Sequence, residues 1–165
     1  YLNDGNRKPV RSSYNNAHAY LSAPYGIYKT KDSFIAVAMT PVPALGELLG
    51  LKTITKFTDQ KEWFTKRDEI KRLIGEWLIK ETTDHWLAIL QPADIWCAEV
   101  LEWDKMIENE GFKVLDMFQR IKRSDGLDIE TLRCPIRINS QIFKSDIAAP
   151  LVGQHNNEII EEYQL

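Results

Sequence analysis

The chain lacks most of the signals that mark a self-sufficient catalyst. It has no Gly-rich phosphate loop, no Cys-x-x-Cys pair and no His-Glu-x-x-His helix. That excludes the common P-loop, zinc-ribbon and zinc-protease readings. Only three histidines are present, His18, His85 and His155, far apart in sequence and each among polar residues, so no metal site is expected. No Gly-x-Ser-x-Gly elbow supports a serine hydrolase. Apolar runs are too short to span a bilayer and no secretory leader pattern is found, which makes the cytoplasm the expected compartment. An excess of positive charge is missing too. Lys and Arg number 21 against 24 Asp and Glu, for a net charge of -3. A nucleic-acid surface needs a concentrated basic face, and none is expected here. Cysteine is scarce: Cys97 and Cys134 both sit in apolar runs and read as buried core thiols rather than a disulfide.

What is present suits a soluble α+β domain. Hydrophobic residues make up 44% of the 165, enough for a core, and charged residues 27%. The chain opens at Tyr1 with a polar, turn-rich stretch through residue 22, so a processed or truncated product is expected. Residues 26–30 and 34–39 are runs of β-formers around the polar Lys31-Asp32-Ser33, the pattern of a hairpin. Pro41 and Pro43 open a helix with Leu45, Leu48 and Leu49 on one face, and Gly50 is placed to end it. Behind the cap Thr58-Asp59, spacings of three and four predict one helix over 60–80. Thr82-Thr83-Asp84 caps another, which Pro92 stops. Beyond it the pattern predicts an extended run over 95–100, a short helix over 104–110 ending at Gly111, and a strand within 113–121. A second extended stretch over 129–138 and a closing helix over 156–163 complete the reading.

Asp84-His85-Trp86 reads as a helix start, with Asp84 favoured by the dipole, His85 in solvent and Trp86 inward. Trp63, Trp77 and Trp86 stand at helical spacing and are expected in the core, whereas Trp96 and Trp103 are open either way. The basic runs Lys66-Arg67 and Arg120-Ile121-Lys122-Arg123 read as solvated faces, with an anion contact as the minor alternative.

Three stretches resemble family III CoA-transferases. Ala23-Pro24-Tyr25-Gly26 through Thr30-Lys31-Asp32-Ser33-Phe34-Ile35-Ala36-Val37 is similar to the family's hairpin segment, with Ser33 where the family commonly has glycine. Thr82 to Leu87, followed by Leu90-Gln91-Pro92-Ala93-Asp94-Ile95-Trp96-Cys97-Ala98-Glu99-Val100, resembles its next motif. There Asp94 replaces a usual glycine, and Trp96 and Glu99 replace prolines. Cys134-Pro135-Ile136-Arg137 and, later, Ala149-Pro150-Leu151-Val152-Gly153-Gln154-His155 resemble its C-terminal signature. The group resembled includes formyl-CoA and carnitine CoA-transferases and the α-methylacyl-CoA racemases.

The resemblance implies an α+β small domain, built of a β-hairpin with helices and short strands, and a C-terminal return segment. Residues 1–22 would lead in from an N-terminal domain, 23–105 form the small domain, and 106–165 pack on a large Rossmann-like domain. It implies coenzyme A thioesters and carboxylic acids as substrates, no covalently bound cofactor, no metal, an interlocked homodimer, and no nucleic-acid or membrane partner. In the transferases an aspartate of the N-terminal half forms an aspartyl-CoA thioester, so no catalytic residue is expected in this chain. The active-site loop maps by resemblance onto His18, Ala19, Tyr20, Leu21 and Ser22, which hold no glycine. The racemase branch uses a glutamate soon after the second strand. Met39-Thr40-Pro41 stand there and Glu47 comes too late, which favours a transferase over a racemase, while the departures Ser33, Asp94, Trp96 and Glu99 motivate a non-catalytic assembly module with the same fold as the other alternative. Apart from a large domain, Val114, Leu115, Phe118, Ile136, Ile138 and Phe143 would lack cover, and self-association or a mobile tail is expected.

Overall fold

The computed structural model describes every residue except 1, 2, 4, 7 and 9. The chain divides into two units, Tyr1–Val100 and Leu101–Leu165. Helices and antiparallel strands are mixed as in an α+β fold.

In the first unit, β1 (Gly26–Lys29), β2 (Phe34–Val37) and β3 (Cys97–Glu99) form one antiparallel sheet in the order β1-β2-β3. Strand alternation gives it two unlike faces. Tyr28, Ile35 and Val37 point into the core, while Ile27 and Phe34 stay outside. The register sets Ile27 opposite Ala36, and Ala36 opposite Ala98.

The predicted hairpin is observed, and its turn explains why Ser33 is acceptable. Ser33 is not among the residues with positive φ, so no glycine is required. The turn closes through Thr30 N–H to the Ser33 carbonyl at 3.0 Å and Ser33 N–H to Thr30 Oγ1 at 3.0 Å. Asp32 leaves the hairpin to cap the fourth helix. Its Oδ1 accepts from the Thr83 backbone N–H at 2.9 Å and from the Thr83 hydroxyl at 3.0 Å. Thr30 Oγ1 lies 2.7 Å from Thr83 Oγ1, and both threonines are buried. These bonds, the Thr83 N–H foremost, hold the Asp32 carboxyl below its ordinary range.

The helices pack on the inner face of the sheet. α1 (Val42–Leu49) ends at Gly50, whose φ of 66° is the left-handed cap expected of glycine. The helix predicted over 60–80 is two helices, α2 (Gln60–Thr65) and α3 (Arg67–Leu78). Lys66, at φ -106° and ψ 17°, turns the chain between them, and the Arg67 guanidinium takes the Phe64 carbonyl that the break frees. Arg67 is therefore buried rather than solvated. Asp59 caps α2 by accepting from Lys61 N–H, and Thr82 caps α4 (Thr83–Leu90) by accepting from His85 N–H. A single 3-10 turn, Gln91–Ala93, carries Pro92 and leads to β3. Ile54, Ile70, Ile74, Leu78 and Leu90 lie at the centre of the core. Trp63, Trp77 and Trp86 pack around them, and each indole N–H reaches a backbone carbonyl, of Phe57, Leu49 and Leu78.

The second unit holds α5 (Trp103–Glu108), α6 (Glu110–Leu115) and the hairpin of β4 (Phe118–Lys122) with β5 (Asp128–Leu132). The two-residue pair β6 (Arg137–Ile138) and β7 (Gln141–Ile142) follows, then α7 (Asn156–Tyr163). Gly111 does not stop a helix here. It lies inside α6, and the strand expected from 113 begins only at Phe118. Asn109 starts α6 by accepting from Gly111 N–H, and Asp116 in the left-handed region ends it. Cys134 is exposed rather than buried, and Cys97 is half-buried. Arg133 is the one fully buried side chain among the described residues of this unit. Its guanidinium donates to the carbonyls of Leu115, Asp116 and Cys134, which satisfies the C-terminal carbonyls of α6. Val114, Leu115, Phe118, Ile136, Ile138 and Phe143 are all exposed.

Two outcomes follow from this packing. Replacing Thr83 with valine keeps the volume but removes the hydroxyl shared by Thr30 and Asp32, and should cost about 1 kcal/mol in a urea melt of the first unit. The exposed apolar side chains of the second unit should make this chain self-associate with rising concentration in sedimentation velocity, and a monodisperse monomer would contradict that.

Candidate functional site

The outer face of the sheet holds a cavity of about 530 Å3. Small-molecule sites commonly span roughly 300–1,000 Å3. Its floor is the cross-strand row Ile27, Ala36 and Ala98, one residue from each strand. The two alanines make the depression, since side chains of ordinary strand size there would fill it. Trp96, at the approach to β3, forms one wall, and its carbonyl accepts from Ala38 N–H at 2.8 Å. The other wall is Asn16–His18, which runs along the free edge of β1. There the Ile27 N–H donates to the Asn16 carbonyl at 2.9 Å.

That second wall belongs to a loop held from behind. Ser12 N–H donates to the Ala19 carbonyl at 3.0 Å and closes residues 12–19 on themselves. The loop then docks on a polar row of α3. Asp68 accepts from the hydroxyls of Ser12 and Ser13, each at 2.6 Å, and from Ser13 N–H at 3.0 Å. Lys71, fully buried, donates to Asn16 Oδ1 at 3.1 Å. Arg67 donates to the Val10 carbonyl and lies over the Phe64 ring. Partial burial pushes the Asp68 carboxyl up, but the Ser12 and Ser13 donors outweigh it and bring it to about 2. Burial lowers the Lys71 ammonium from its ordinary value, against the pull of Asp68.

Gly26 makes room for this arrangement. A Cβ there would lie 2.6 Å from Asn16 Nδ2 and 3.0 Å from Asn16 Cγ. Tyr28, the next inward residue, donates its hydroxyl to the Pro24 carbonyl, and burial raises its phenol well above the ordinary value.

Of the loop residues His18, Ala19, Tyr20, Leu21 and Ser22, the structure brings only His18 to the cavity. Its Nδ1 accepts from Tyr20 N–H at 3.2 Å, which leaves Nε2 as the donor of the neutral ring. Tyr20 packs edge-on against that imidazole and lies under the Arg11 guanidinium. Asn16 and the Ala36–Ala98 floor were missed by sequence reasoning. The signal lay in the alternation: small residues on the outward side of strands whose other outward positions are bulky. Cys97 also lines the cavity, but burial raises its thiol, so it is no activated nucleophile. Asp94 stands in the left-handed region at φ 59°, the conformation a glycine takes without strain. Asp84 and His85 are exposed at the start of α4, with His85 edge-on to Trp86. Among the described residues, no group of three metal-binding side chains comes together, and no helix is long and apolar enough to cross a membrane.

The family model for CoA-transferase family III matches residues 1–156. The chain belongs to CoA-transferase family III. Similar curated proteins lie at low identity. A cinnamoyl-CoA:phenyllactate CoA-transferase of Clostridium sporogenes is 25% identical over 82% of this chain and 35% of its own length. The human α-methylacyl-CoA racemase is 25% identical over 84% of this chain and 36% of its own. The chain thus spans about a third of the length of these relatives. Among solved structures, a CAIB/BAIF family protein from Brucella suis covers 98% of the chain and 42% of its own, with a TM-score of 0.60 at 24% identity. The Mycobacterium tuberculosis protein Rv3272 matches 82% of the chain and 39% of its own with a TM-score of 0.61 at 22% identity. Both likenesses concern the fold.

The clamp on the loop should respond to acid with a definite sign. Asp68 titrates at about 2 folded against an ordinary 3.8, so its contribution is complete above the ordinary value and is lost as pH falls through the folded one. The protection of the amides of residues 12–19, relative to their intrinsic exchange rates, should fall as pH drops between those two values. Asp68→Ala should produce the same loosening at neutral pH, about tenfold, while the centre of the core keeps its protection. Separately, Asp94→Gly should raise stability by up to about 1 kcal/mol, read from thermal melts.

Proposed function

We propose that this chain supplies the small domain of an acyl-CoA:carboxylate CoA-transferase that works through an aspartyl-CoA thioester. The nucleophilic aspartate is supplied by sequence outside this chain. Membership of CoA-transferase family III carries the reading. The relatives that match include both CoA-transferases and a racemase. The choice between them rests on Met39-Thr40-Pro41, where no carboxylate follows β2, and on the cavity lining, which contains no acid among the described residues.

The chemistry would run in balanced steps. The aspartate attacks the acyl-CoA carbonyl and expels CoA thiolate, leaving a mixed anhydride. The thiolate attacks the aspartyl carbonyl and releases the donor acid. The acceptor carboxylate then attacks the aspartyl thioester and expels the thiolate, forming a second mixed anhydride; the thiolate attacks the acceptor carbonyl of that anhydride, which gives the new acyl-CoA and frees the aspartate. The role left to this chain is to bound the acyl group, with His18–Ser22 at the approach and the His18 Nε2–H as a donor at the rim. The exposed apolar side chains of the second unit agree with a segment that packs on structure beyond this chain, as in an interlocked dimer.

The test uses the natural polypeptide that carries this chain. Incubation with acyl-CoAs, trapping with hydroxylamine or borohydride, and intact mass analysis should reveal one modified aspartate. Exchange of the α-proton of a 2-methylacyl-CoA without any adduct would instead assign the racemase chemistry. A folded protein with neither activity would be an assembly module.

A further inference from the structure

We infer that the cavity above Ile27, Ala36 and Ala98 is a pocket for a flat, uncharged acyl group, an aryl or conjugated one, and that Trp96 and the two alanines set this preference. The inference rests on the acyl-CoA reading above and adds the substrate class.

Four observations carry it. First, the floor is shallow by composition. On the same outer face Ile27 and Phe34 are large, whereas Ala36 and Ala98 leave the space beside them open. Second, Trp96 is 77% exposed and has no place in the core, unlike Trp63, Trp77 and Trp86. Its backbone is fixed to Ala38, so a broad apolar ring system stands beside the floor at the cavity wall. An indole in that position favours an offset or edge-on ring over a flexible chain of equal size. Third, no Lys, Arg, Asp or Glu lines the cavity among the described residues. A dicarboxylic acyl group would find no ionic partner for its distal charge on this lining and would trade water for apolar surface around it. Fourth, the polar groups Asn16, His18 and Tyr25 belong to the β1 side, and the β3 side offers Trp96 and Ala98. The lining therefore fits a ligand with one polar end and one apolar, planar end. The wall at Asn16 is set before any ligand arrives, because Lys71 and Asp68 hold its loop.

The test is equilibrium binding by calorimetry, with the natural polypeptide that carries this chain. The probes are 3-phenylpropanoyl-CoA, butanoyl-CoA, succinyl-CoA and free CoA. Phenylpropanoyl-CoA should bind at least about tenfold tighter than butanoyl-CoA, and succinyl-CoA weakest of the thioesters. Trp96→Ala and Ala98→Leu, both at exposed positions, should each abolish that preference and leave free CoA unaffected. Equal affinity for the two neutral thioesters, or a preference that survives both substitutions, would overturn the inference. So would a Trp96→Ala variant whose only change is in sedimentation, since the face would then be a protein contact. Preferential thioester binding without acyl exchange would uphold the pocket and refute the transferase reading. If no CoA species binds, free 3-phenylpropanoate decides: binding lost in Trp96→Ala supports the pocket, and no binding overturns it.

Discussion

The outer face of the first unit depends on one row of polar side chains at the start of an amphipathic helix. Arg67, Asp68 and Lys71 occupy the first turns of α3, and between them they take the Val10 carbonyl, the Ser12 and Ser13 donors and the Asn16 amide. Burying a lysine and an arginine is costly unless each finds partners; the Asn16 amide serves Lys71, and the Val10 and Phe64 carbonyls serve Arg67, whose Nε is left without one. Without that exchange residues 12–19 would keep the Ile27 N–H bond to the Asn16 carbonyl as their main tie to the sheet. The cavity would lose a wall and become an open sheet surface.

A second polar cluster ties the sheet to the helices. Asp32, Thr30 and Thr83 join the hairpin turn to the start of α4, and α4 leads through Pro92 and Asp94 to Trp96 and β3. The motif residues that resemble the family pattern are thus partly structural. Asp32 serves as a remote helix cap, not as an acid or base. The spacing between the hairpin motif and the following one reflects a closed circuit: β2, helices, and back to β2 through β3.

Legibility followed the range of the interactions. The hairpin, α1, α4 and α7 are set by caps, prolines and periodicity within a few residues, and these were readable. The break at Lys66 was not, because the pattern of apolar residues runs through it and the reach of Arg67 back to Phe64, which helps to hold the turn, is invisible in that pattern. Gly111 looked like a helix end, but Asn109 starts a new helix around it. Cys134 sits in an apolar run that, in this unit, has no core to enter. The cavity was the least visible feature. His18 was singled out by resemblance, whereas Asn16, Ala36, Ala98 and Trp96 meet only through register, and register is a non-local property.

Gly26 and Asn16 share a single volume, since a methyl group on one overlaps the amide of the other. Their histories are therefore coupled. Alanine at position 26 would push the Asn16 amide aside, which takes its oxygen from the Lys71 ammonium. Change in this wall is then expected to arrive in linked groups rather than singly.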